Sequence, residues 1–363
     1  MKKSKIKQIE KSLVDVKKIA PITSKDFLST GSTLLNLAMT GKGNRGFLKG
    51  KYYFLVGDSQ SGKTFLALTC LAEAAINPEF KDYRFIFDNG EGGALMNIAK
   101  FFGSAVEERL EPPALDKDGN PEYSRTIEHF YYHLKDATND PRPFIYIQDS
   151  MDVLSSEQEQ DKFDEQKKAF EDGKNTTGSM TDGKPKINSQ NLRQFIGPLE
   201  RSKSILIIIN QTRDSLGFGF EKKTKSGGHA LTFYACMELW SSVIGRIKKT
   251  VRGTQRQIGT FCQVRVKKNR ISGKDRTITI PIYWSIGFDD IGACVDYLVE
   301  EKFWNPSGKT SINAESLGVI MSREKLIQYI EENGLEKDVR ESVSDVWDEI
   351  EEACEVQRKP KYL

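Results

Sequence analysis

The feature that most constrains the fold of this 363-residue sequence is a glycine-rich stretch at 57–64, GDSQSGKT. It fits the pattern G-x-x-x-x-G-K-T and follows a short apolar run, KYYFLV at 51–56. A stretch with helical spacing, TFLALTCLAEAAIN at 64–77, comes next. A strand, a tight loop and a helix in this order are typical of a phosphate-binding loop, where backbone N–H groups and the helix N-terminus surround phosphate oxygens.

The side chains of this motif have expected roles. Lys63 is placed to reach the β- and γ-phosphates of a nucleoside triphosphate, and the Thr64 hydroxyl is a ligand for Mg²⁺. We therefore expect ATP and Mg²⁺ as cofactors. The predicted cofactor-binding residues are Gly57, Asp58, Ser59, Gln60, Ser61, Gly62, Lys63 and Thr64.

Acidic residues end two further apolar runs. Asp149 closes FIYIQD at 144–149, which is the Walker-B arrangement of a metal-side carboxylate. The run YRFIFD at 83–88 ends in Asp88 and continues as NGE to Glu91. Either carboxylate is a candidate for the group that activates water. Glu91 lies in a glycine-rich bend and is the preferred candidate, but the choice between the two stays open.

The alternation of apolar runs and helical patterns predicts an α/β fold with a mainly parallel central sheet. Ligands of such sheets bind at the carboxyl edge of the strands. Asn210 and Gln211 end one run at that edge, where an amide could sense the γ-phosphate. A hairpin is expected from 259–268 to 276–284. The other predicted strands are 51–56, 83–88, 144–149 and 204–210, and the helices between them include 94–102 and 190–202.

Three units are predicted along the chain. Residues 1–27 form an N-terminal oligomerisation helix and linker, because lysines flank an apolar stripe that has to dock on the chain's own core or on a neighbouring copy. Residues 28–286 form the ATPase core, and 287–363 a small α-rich C-terminal domain. Two polar segments, about 155–190 and 213–228, are predicted as loops of the core.

Composition excludes several classes of protein. With 54 Lys and Arg against 51 Asp and Glu, the net charge is only +3, so nucleic-acid binding has to rest on local clusters. The five cysteines form no C-x-x-C pair, which argues against structural zinc and a disulfide framework. No apolar run reaches the roughly 18 residues of a membrane span. No apolar segment follows the basic N-terminus either. We expect a cytoplasmic protein with no membrane partner.

The second polar segment, RDSLGFGFEKKTKSGG at 213–228, combines cations, glycines and aromatic side chains. Cations can follow a phosphate backbone while an aromatic ring stacks on bases, which favours single-stranded DNA as a ligand. A solvated hairpin tip is the alternative. The candidate DNA-binding residues of this segment are Arg213, Phe220, Lys222, Lys223, Lys225, Gly227 and Gly228.

Taken together, the motifs resemble those of the RecA-type recombinases, phage members included. The likeness extends over nearly all the chain from about residue 28. The combination of NQ-x-R with GG-x-AL-x-FYA is its most specific part. The stretches that follow the family's order are STGSTLLNLAMTG at 29–41, GDSQSGKT, IQDSMDVL at 147–154, IIINQTRD at 207–214, SGGHALTFYAC at 226–236, VKKNRI at 266–271 and FDDIGACVDYLVEEKFW at 288–304.

The resemblance implies a DNA-dependent ATPase with a RecA-type P-loop core, which forms helical filaments on single-stranded DNA. Such a filament pairs with homologous duplex DNA and promotes strand exchange in recombination and repair. By the same resemblance, Glu91 is similar to the water-activating glutamate and Gln211 to the switch between the γ-phosphate and the second loop. Lys268 and Arg270 are similar to the cations that one protomer contributes to its neighbour's nucleotide, so they belong with Lys63 to the catalytic set.

The sequence departs from the family pattern in places. The acids in D-N-G-E are one residue further apart than usual, and Ile98 lies near where an aromatic residue commonly stacks on adenine. The first polar segment is longer than usual, with Lys184 and Lys186 as its candidate DNA contacts.

Two other functions share the same core. One is a hexameric helicase or translocase, and the other is a non-catalytic recombination mediator or annealing paralogue. Single-strand-binding and mediator proteins are expected partners of the recombinase. If the chain is encoded by a phage, the expected location is the cytoplasm of the bacterial host.

Overall fold

The computed structural model describes residues 21–116, 118–173, 183–214, 223–225, 227–359 and 361, and only the backbone at 213, 214, 223 and 224. The helices are α1 (Thr33–Thr40), α2 (Lys63–Ile76), α3 (Ile98–Phe102), α4 (Ser104–Arg109), α5 (Ile127–Asn139), α6 (Glu157–Glu171), α7 (Lys184–Ser202), α8 (His229–Tyr234), α9 (Asp290–Glu300), α10 (Arg323–Glu332) and α11 (Glu336–Ala353). Single 3₁₀ turns lie at Ser24–Asp26, Pro78–Phe80 and Glu315–Leu317.

The strands are β1 (Phe27–Leu28), β2 (Phe47–Leu48), β3 (Tyr52–Gly57), β4 (Arg84–Asp88), β5 (Ala114–Leu115), β6 (Pro121–Glu122), β7 (Phe144–Gln148), β8 (Ile205–Asp214), β9 (Lys223–Lys225), β10 (Met237–Val251), β11 (Thr254–Asn269), β12 (Thr277–Tyr283), β13 (Gly287–Phe288), β14 (Asn305–Ser307), β15 (Ser311–Ala314) and β16 (Val319–Ser322).

The central sheet has the strand order β13-β12-β11-β10-β3-β8-β7-β4, and β9 pairs with β8. The strands β10, β3, β8, β7 and β4 are mutually parallel, whereas β11, β12 and β13 add antiparallel partners at one side. The predicted α/β class with a mainly parallel sheet is therefore confirmed. Every residue of β3 and β7 is buried, as expected for strands that are covered on both faces.

Two apolar clusters cover the two faces of this sheet. One contains α2 residues such as Leu68 and Leu71 and also residues of the C-terminal helices, Val343 and Trp347 among them. The other contains residues of α5 and α7, including Leu192. The C-terminal region thus shares a continuous core with the rest of the chain. It is mainly helical, as predicted, and adds the antiparallel sheet β14-β15-β16.

The first polar segment differs from its prediction as a loop. Residues 157–171 form helix α6 and α7 begins at Lys184, so most of 155–190 is helical. Helix α6 begins with a capping box, in which Ser156 Oγ accepts from the Glu159 amide and the Glu159 carboxylate accepts from the Ser156 amide. Its Glu, Gln and Lys residues have good helix propensity, and this outweighs the polarity that favours a loop.

Strand β10 is not evident from the sequence. The expected hairpin from 259–268 to 276–284 is confirmed, with Phe261 opposite Pro281. However, β11 begins earlier, at Thr254, and pairs along its length with β10. The helix expected at 94–102 begins only at Ile98. Among the described residues, no helix is both long and apolar enough to cross a membrane.

Candidate functional site

The glycine-rich stretch forms a loop between β3 and α2, at the carboxyl edge of the sheet. Gly57 and Gly62 are both required by their surroundings. A Cβ atom on Gly57 would lie 2.2 Å from the Ser241 carbonyl oxygen, and one on Gly62 would lie 2.4 Å from Ile282 Cδ1. Gly62 also has a positive φ of 82°. The loop backbone therefore packs directly against its neighbours, and its conformation depends on glycine.

Lys63 is folded back over this loop. Its Nζ donates to the carbonyl oxygens of Gly57 and Asp58, at 2.9 and 2.6 Å. Burial lowers the pKa of the Lys63 ammonium, and the charge of Asp149 opposes that shift. These two carbonyls hold the ammonium at the mouth of the loop, from which it could exchange onto phosphate oxygens.

Thr64 and Asp149 meet across the base of the site. Thr64 Oγ1 donates to Asp149 Oδ2 at 2.5 Å, and Asp149 follows the buried strand β7. Burial, with a further contribution from the Glu91 charge, raises the pKa of Asp149 to about 6. The pair supplies a hydroxyl and a carboxylate oxygen, the donors that Mg²⁺ prefers.

Glu91 and Gln211 are joined beside them. Gln211 Nε2 donates to Glu91 Oε1 at 3.1 Å, and Ser150 Oγ donates to Glu91 Oε2 at 3.2 Å. The backbone N–H of Gln211 donates to Asp152 Oδ1 at 2.9 Å. This bond fixes the position of strand β8 at Gln211. The ends of β4, β7 and β8 are thereby linked by side chains.

Asp88, the other candidate for the water-activating group, lies in the core next to Ser124 and Tyr146. Its carboxylate accepts from the Ser124 amide and hydroxyl, at 2.9 and 2.5 Å, and from the Tyr146 hydroxyl at 2.7 Å. Burial alone would raise the pKa of Asp88, but hydrogen bonds from His133, Ser124 and Tyr146 together hold that pKa below its usual value. Asp88 is a buried, fully bonded carboxylate outside the cavity beside the loop.

That cavity has a volume of about 500 Å³ and brings the predicted residues together. Lys63 is the one cation among the described residues that line it. The lining also contains residues that were not predicted from the sequence, Met96, Gln257 and Trp284 among them, which come from separate parts of the chain. Trp284 is 59% exposed. The predicted residues in the lining are Ser59, Gln60, Ser61, Gly62, Lys63, Thr64, Glu91, Asp149 and Gln211.

Lys268 and Arg270 lie away from this cavity. Lys268 is opposite Glu238 in the ladder, and Glu238 is level with Phe54, well before the phosphate loop. Lys268 Nζ donates to the carbonyl oxygens of Thr232 and Phe233, at 2.5 and 2.9 Å, and Arg270 Nη2 also donates to the Phe233 carbonyl. Neither cation belongs to the phosphate site of its own chain.

The structure describes little of the predicted DNA-binding side chains in 213–228. Phe220 and Lys222 lie outside the described residues. For Arg213 and Lys223 the backbone is described, in strands β8 and β9. Arg213 pairs with Thr224 in that short antiparallel ladder.

Gly227 and Gly228 end this segment against the start of α7. A Cβ atom on Gly227 would lie 2.6 Å from Leu231 Cδ1, and one on Gly228 would lie 2.6 Å from Pro185 Cβ. The buried Asn188 side chain donates to the Gly227 carbonyl at 3.2 Å. The ends of the two polar segments are thus packed together.

Lys184 and Lys186 begin helix α7. Lys186 is exposed, whereas Lys184 Nζ lies 3.7 Å from Glu159 Oε2 and is largely buried. Residues 174–182, which precede them, lie outside the described residues.

Lys225 is held by a buried carboxylate. Its Nζ contacts Glu238 Oε1, and the Trp240 indole N–H donates to the same oxygen at 2.6 Å. The Lys225 ammonium also lies 5.2 Å from the centre of the Phe54 ring. This candidate DNA contact therefore has its charge neutralised within the protein.

Strands β10 and β11 extend past their neighbours as a two-stranded ribbon, residues 245–257. Strand β3 pairs with β10 only as far as Ser241, and β12 pairs with β11 only from Gly259. The sequence from 239 to 274 contains no Asp or Glu. This cationic ribbon carries five exposed cations that sequence analysis does not single out: Arg246, Lys248, Lys249, Arg252 and Arg256.

Comparison with known proteins agrees with this geometry. A family model described as the RecA N-terminal domain matches residues 168–289. The chain is 28% identical over 312 residues to Protein RecA of Brucella canis and equally to that of Brucella abortus, which covers 84% of this chain and 76% of each relative. It is 27% identical over 328 residues to Protein RecA of Brucella anthropi, which covers 89% of this chain and 80% of the relative.

The family model and these relatives support a RecA-type recombinase family for this chain. The matched residues 168–289 include the segment 213–228, the cationic ribbon and the cations Lys268 and Arg270. The phosphate loop and Glu91 lie before the residues that the family model matches.

Proposed function

We propose that this chain is a RecA-type, DNA-dependent ATPase that assembles into helical filaments on single-stranded DNA and promotes homologous pairing and strand exchange. The observation that carries the proposal is the convergence of Lys63, Thr64, Asp149, Glu91 and Gln211 on one cavity at the carboxyl edge of the sheet. This is the set of groups that phosphoanhydride hydrolysis requires.

The cavity suits ATP in size and chemistry. Backbone N–H groups of the glycine-rich loop and the N-terminus of α2 favour the phosphates, and Lys63 would exchange its two carbonyl acceptors for phosphate oxygens. Trp284 and Met96 offer apolar surface for the base, a role for which the sequence offered no aromatic candidate. Glu91 would accept a proton from the attacking water, and Gln211 would report its position to segment 213–228.

The residues present also fit Mg²⁺. Asp149 is buried, its pKa is raised to about 6, and its carboxylate meets the Thr64 hydroxyl, so a cation at this point would relieve an unfavourable buried charge. Thr64 and Asp149 would hold the ion. When bound, Mg²⁺ would neutralise phosphate charge.

The number of cations in the cavity supports the assembly of several copies of the chain. Lys63 is the one cation among the described lining residues, whereas phosphoryl transfer is accelerated by a further cation near the leaving phosphate. Lys268 and Arg270 are adjacent to each other on another part of the sheet, beside α8. A head-to-tail contact between copies would bring these cations to a neighbour's nucleotide, so hydrolysis would depend on filament formation.

Binding to DNA is supported by charge. The cationic ribbon presents exposed cations along residues 245–257, and a two-stranded ribbon of this kind can follow a phosphate backbone. Segment 213–228 adds Lys222 and Lys223 with Phe220 as a stacking group. Single-strand-binding and mediator proteins are proposed as additional partners.

Steady-state ATP hydrolysis, measured with and without single-stranded DNA at several protein concentrations, tests the proposal. We expect strong stimulation by DNA and a sigmoidal dependence on protein concentration, because the site is completed at an interface. Hydrolysis that is absent, or independent of DNA, would reject the proposal. Electron micrographs provide the second readout. We expect helical filaments, and closed rings would instead favour a hexameric translocase.

A further inference from the structure

The C-terminal stem of segment 213–228 pairs with strand β8, and a buried ion pair also attaches it to strand β10. We propose that Glu238 and Lys225 together fix this stem, and that Lys225 is a positioning residue and not a contact to DNA phosphates. We call the two residues the stem pair. This inference rests on the proposed function for its DNA readout, and it replaces the role in DNA contact that the sequence suggested for Lys225.

Burial of Glu238 is the first argument. Glu238 is 2% exposed and the Lys225 side chain 18% exposed. A carboxylate in such a place needs a cation, since an unpaired buried charge is strongly unfavourable. If Lys225 turned towards a DNA phosphate, Glu238 would lose the partner that compensates its charge.

The surroundings of the Lys225 ammonium are the second argument. It lies 5.2 Å from the centre of the Phe54 ring and 5.4 Å from that of Trp240. The Trp240 indole N–H donates to the same Glu238 oxygen that Lys225 contacts. Carboxylate, indole and the two ring faces form a site shaped for an ammonium on strand β9.

The position of the stem pair in the sheet is the third argument. Lys225 pairs, at the end of β9, with Thr212, one residue beyond Gln211. Glu238 lies directly opposite Lys268 in the β10–β11 ladder. The stem pair therefore ties the end of the DNA segment to the strand whose partner carries the proposed interface cation. A stem held here keeps segment 213–228 at a fixed position relative to Gln211 of the cavity and to Lys268, the proposed interface cation.

Glu238→Gln and Lys225→Met remove the two charges while keeping side-chain size. The matched control is the ion pair of the half-buried Lys51 and the exposed Glu200, 3.1 Å apart, altered as Lys51→Met and Glu200→Gln. Affinity for a fluorescent single-stranded oligonucleotide is measured by anisotropy across a series of salt concentrations, and thermal unfolding checks that each variant is folded. Hydrogen exchange of the amides at 212–214 and 223–225 is followed without DNA.

We expect each variant of the stem pair to bind the oligonucleotide about tenfold more weakly, because the coupling between stem and DNA site is removed. The slope of affinity against salt should stay unchanged, since the DNA phosphates keep all their cations. The double variant should be no weaker than either single variant, because both changes break the same pair. The amides of residues 223–225 should exchange faster in both variants of the stem pair. Their exchange rates should be unchanged in the control variants. Lys225→Arg, which keeps the charge, should restore affinity.

A different pattern would overturn the inference. If Lys225 contacts DNA, Glu238→Gln releases it, so binding becomes tighter or stays the same, while Lys225→Met lowers the salt slope by about one. If the wild-type chain binds no oligonucleotide, the proposed function fails, and hydrogen exchange still decides the inference. Unchanged exchange at 223–225 in both variants would then reject the stem pair.

Discussion

The side-chain amide of Gln211 donates to Glu91 Oε1 across 3.1 Å, which joins the end of β8 to the bend that follows β4. Ser150 holds the other carboxylate oxygen at 3.2 Å. Because Gln211 is two residues before segment 213–228, movement of Glu91 towards a water molecule has to be shared with the strand that leads into that segment. One hydrogen bond thus connects Glu91, the proposed water-activating residue, to the strand that leads into the proposed DNA segment.

Replacing Glu91 by Gln should separate binding from hydrolysis. Glutamine can still accept from Gln211 through its amide oxygen and can donate from its amide nitrogen to the Ser150 hydroxyl, but it cannot take a proton. We therefore expect unchanged ATP affinity and turnover reduced by about 10²-fold or more. Titration with a fluorescent ATP analogue and steady-state hydrolysis measure the two effects. The exposed Glu107, changed to Gln, is the control. Full turnover in Glu91→Gln would remove this residue from the catalytic set.

Asp88→Asn should affect stability and leave the chemistry nearly unchanged. The Asp88 carboxylate accepts three hydrogen bonds in the core, and an amide nitrogen there would face donors. The pKa of Asp88 is lowered, so its charge stabilises the fold above its unfolded pKa of about 3.8, and that contribution is lost as the pH falls further. We expect a Tm lower by several degrees at pH 7. A stable Asp88→Asn protein without turnover would transfer the catalytic role to Asp88.

Asp149→Asn should stabilise the nucleotide-free protein while abolishing Mg²⁺-dependent ATP binding. The pKa of Asp149 is raised to about 6, so the folded state holds this proton more tightly than the unfolded state. The associated stability is present below pH 3.8 and is lost as the pH rises through about 6. The charge therefore costs about 3 kcal/mol at pH 8. Thermal unfolding should show the gain at pH 8 and almost none at pH 4, and equal gains at both would contradict this account.

Mixing two inactive variants should recover activity if cations act between copies. Lys63→Ala removes the phosphate-loop ammonium, and a double change of Lys268 and Arg270 to Met removes the proposed interface cations. Each variant alone should be inactive. In an equal mixture about a quarter of head-to-tail interfaces join an intact loop to intact cations, so about a quarter of the wild-type rate is expected. No recovery would place all the cations in one chain's own site.

Neutralising the cationic ribbon should weaken DNA binding through its salt dependence. Changing Lys248, Lys249 and Arg252 to Gln should lower the slope of log affinity against log salt by about one for each cation that no longer meets a phosphate. Lys325 and Lys337, exposed on the C-terminal helices, are matched controls. An unchanged slope would show that the ribbon does not bind DNA.

The local parts of the site were predictable. The loop at 57–64, Asp149 and Gln211 each lie at the end of an apolar run in the sequence. Parallel strands bring these ends to one edge of the sheet, so their convergence follows from the sequence pattern. The placement of Asp88 outside the cavity did not follow from the sequence. It depends on Ser124 and Tyr146, which are distant along the chain and engage Asp88 in the core.

The remaining parts of the site depend on contacts between residues far apart in the sequence, so they were not predicted. The prediction of Lys225 as a DNA contact uses its charge, which is visible in the sequence. Its ion-pair partner Glu238 belongs to strand β10, which has no clear apolar alternation, so the pair was not predicted. Trp284 was missed because β12 and the phosphate loop come together only in the folded sheet. Helix α6 was missed because no described side chain of it is buried, so it has no apolar periodicity.

The continuous core has a consequence for how this protein can be divided. Val343 and Trp347 of α11 pack in the same cluster as Leu34 of α1. Glu351 accepts hydrogen bonds from Arg276 and Lys274, and the Arg276 hydrogen bond brings the pKa of Glu351 to about 2. A fragment ending at residue 286 would expose that apolar surface to water. The C-terminal helices are therefore not an exchangeable cassette, and chimaeras with relatives need junctions outside this shared cluster.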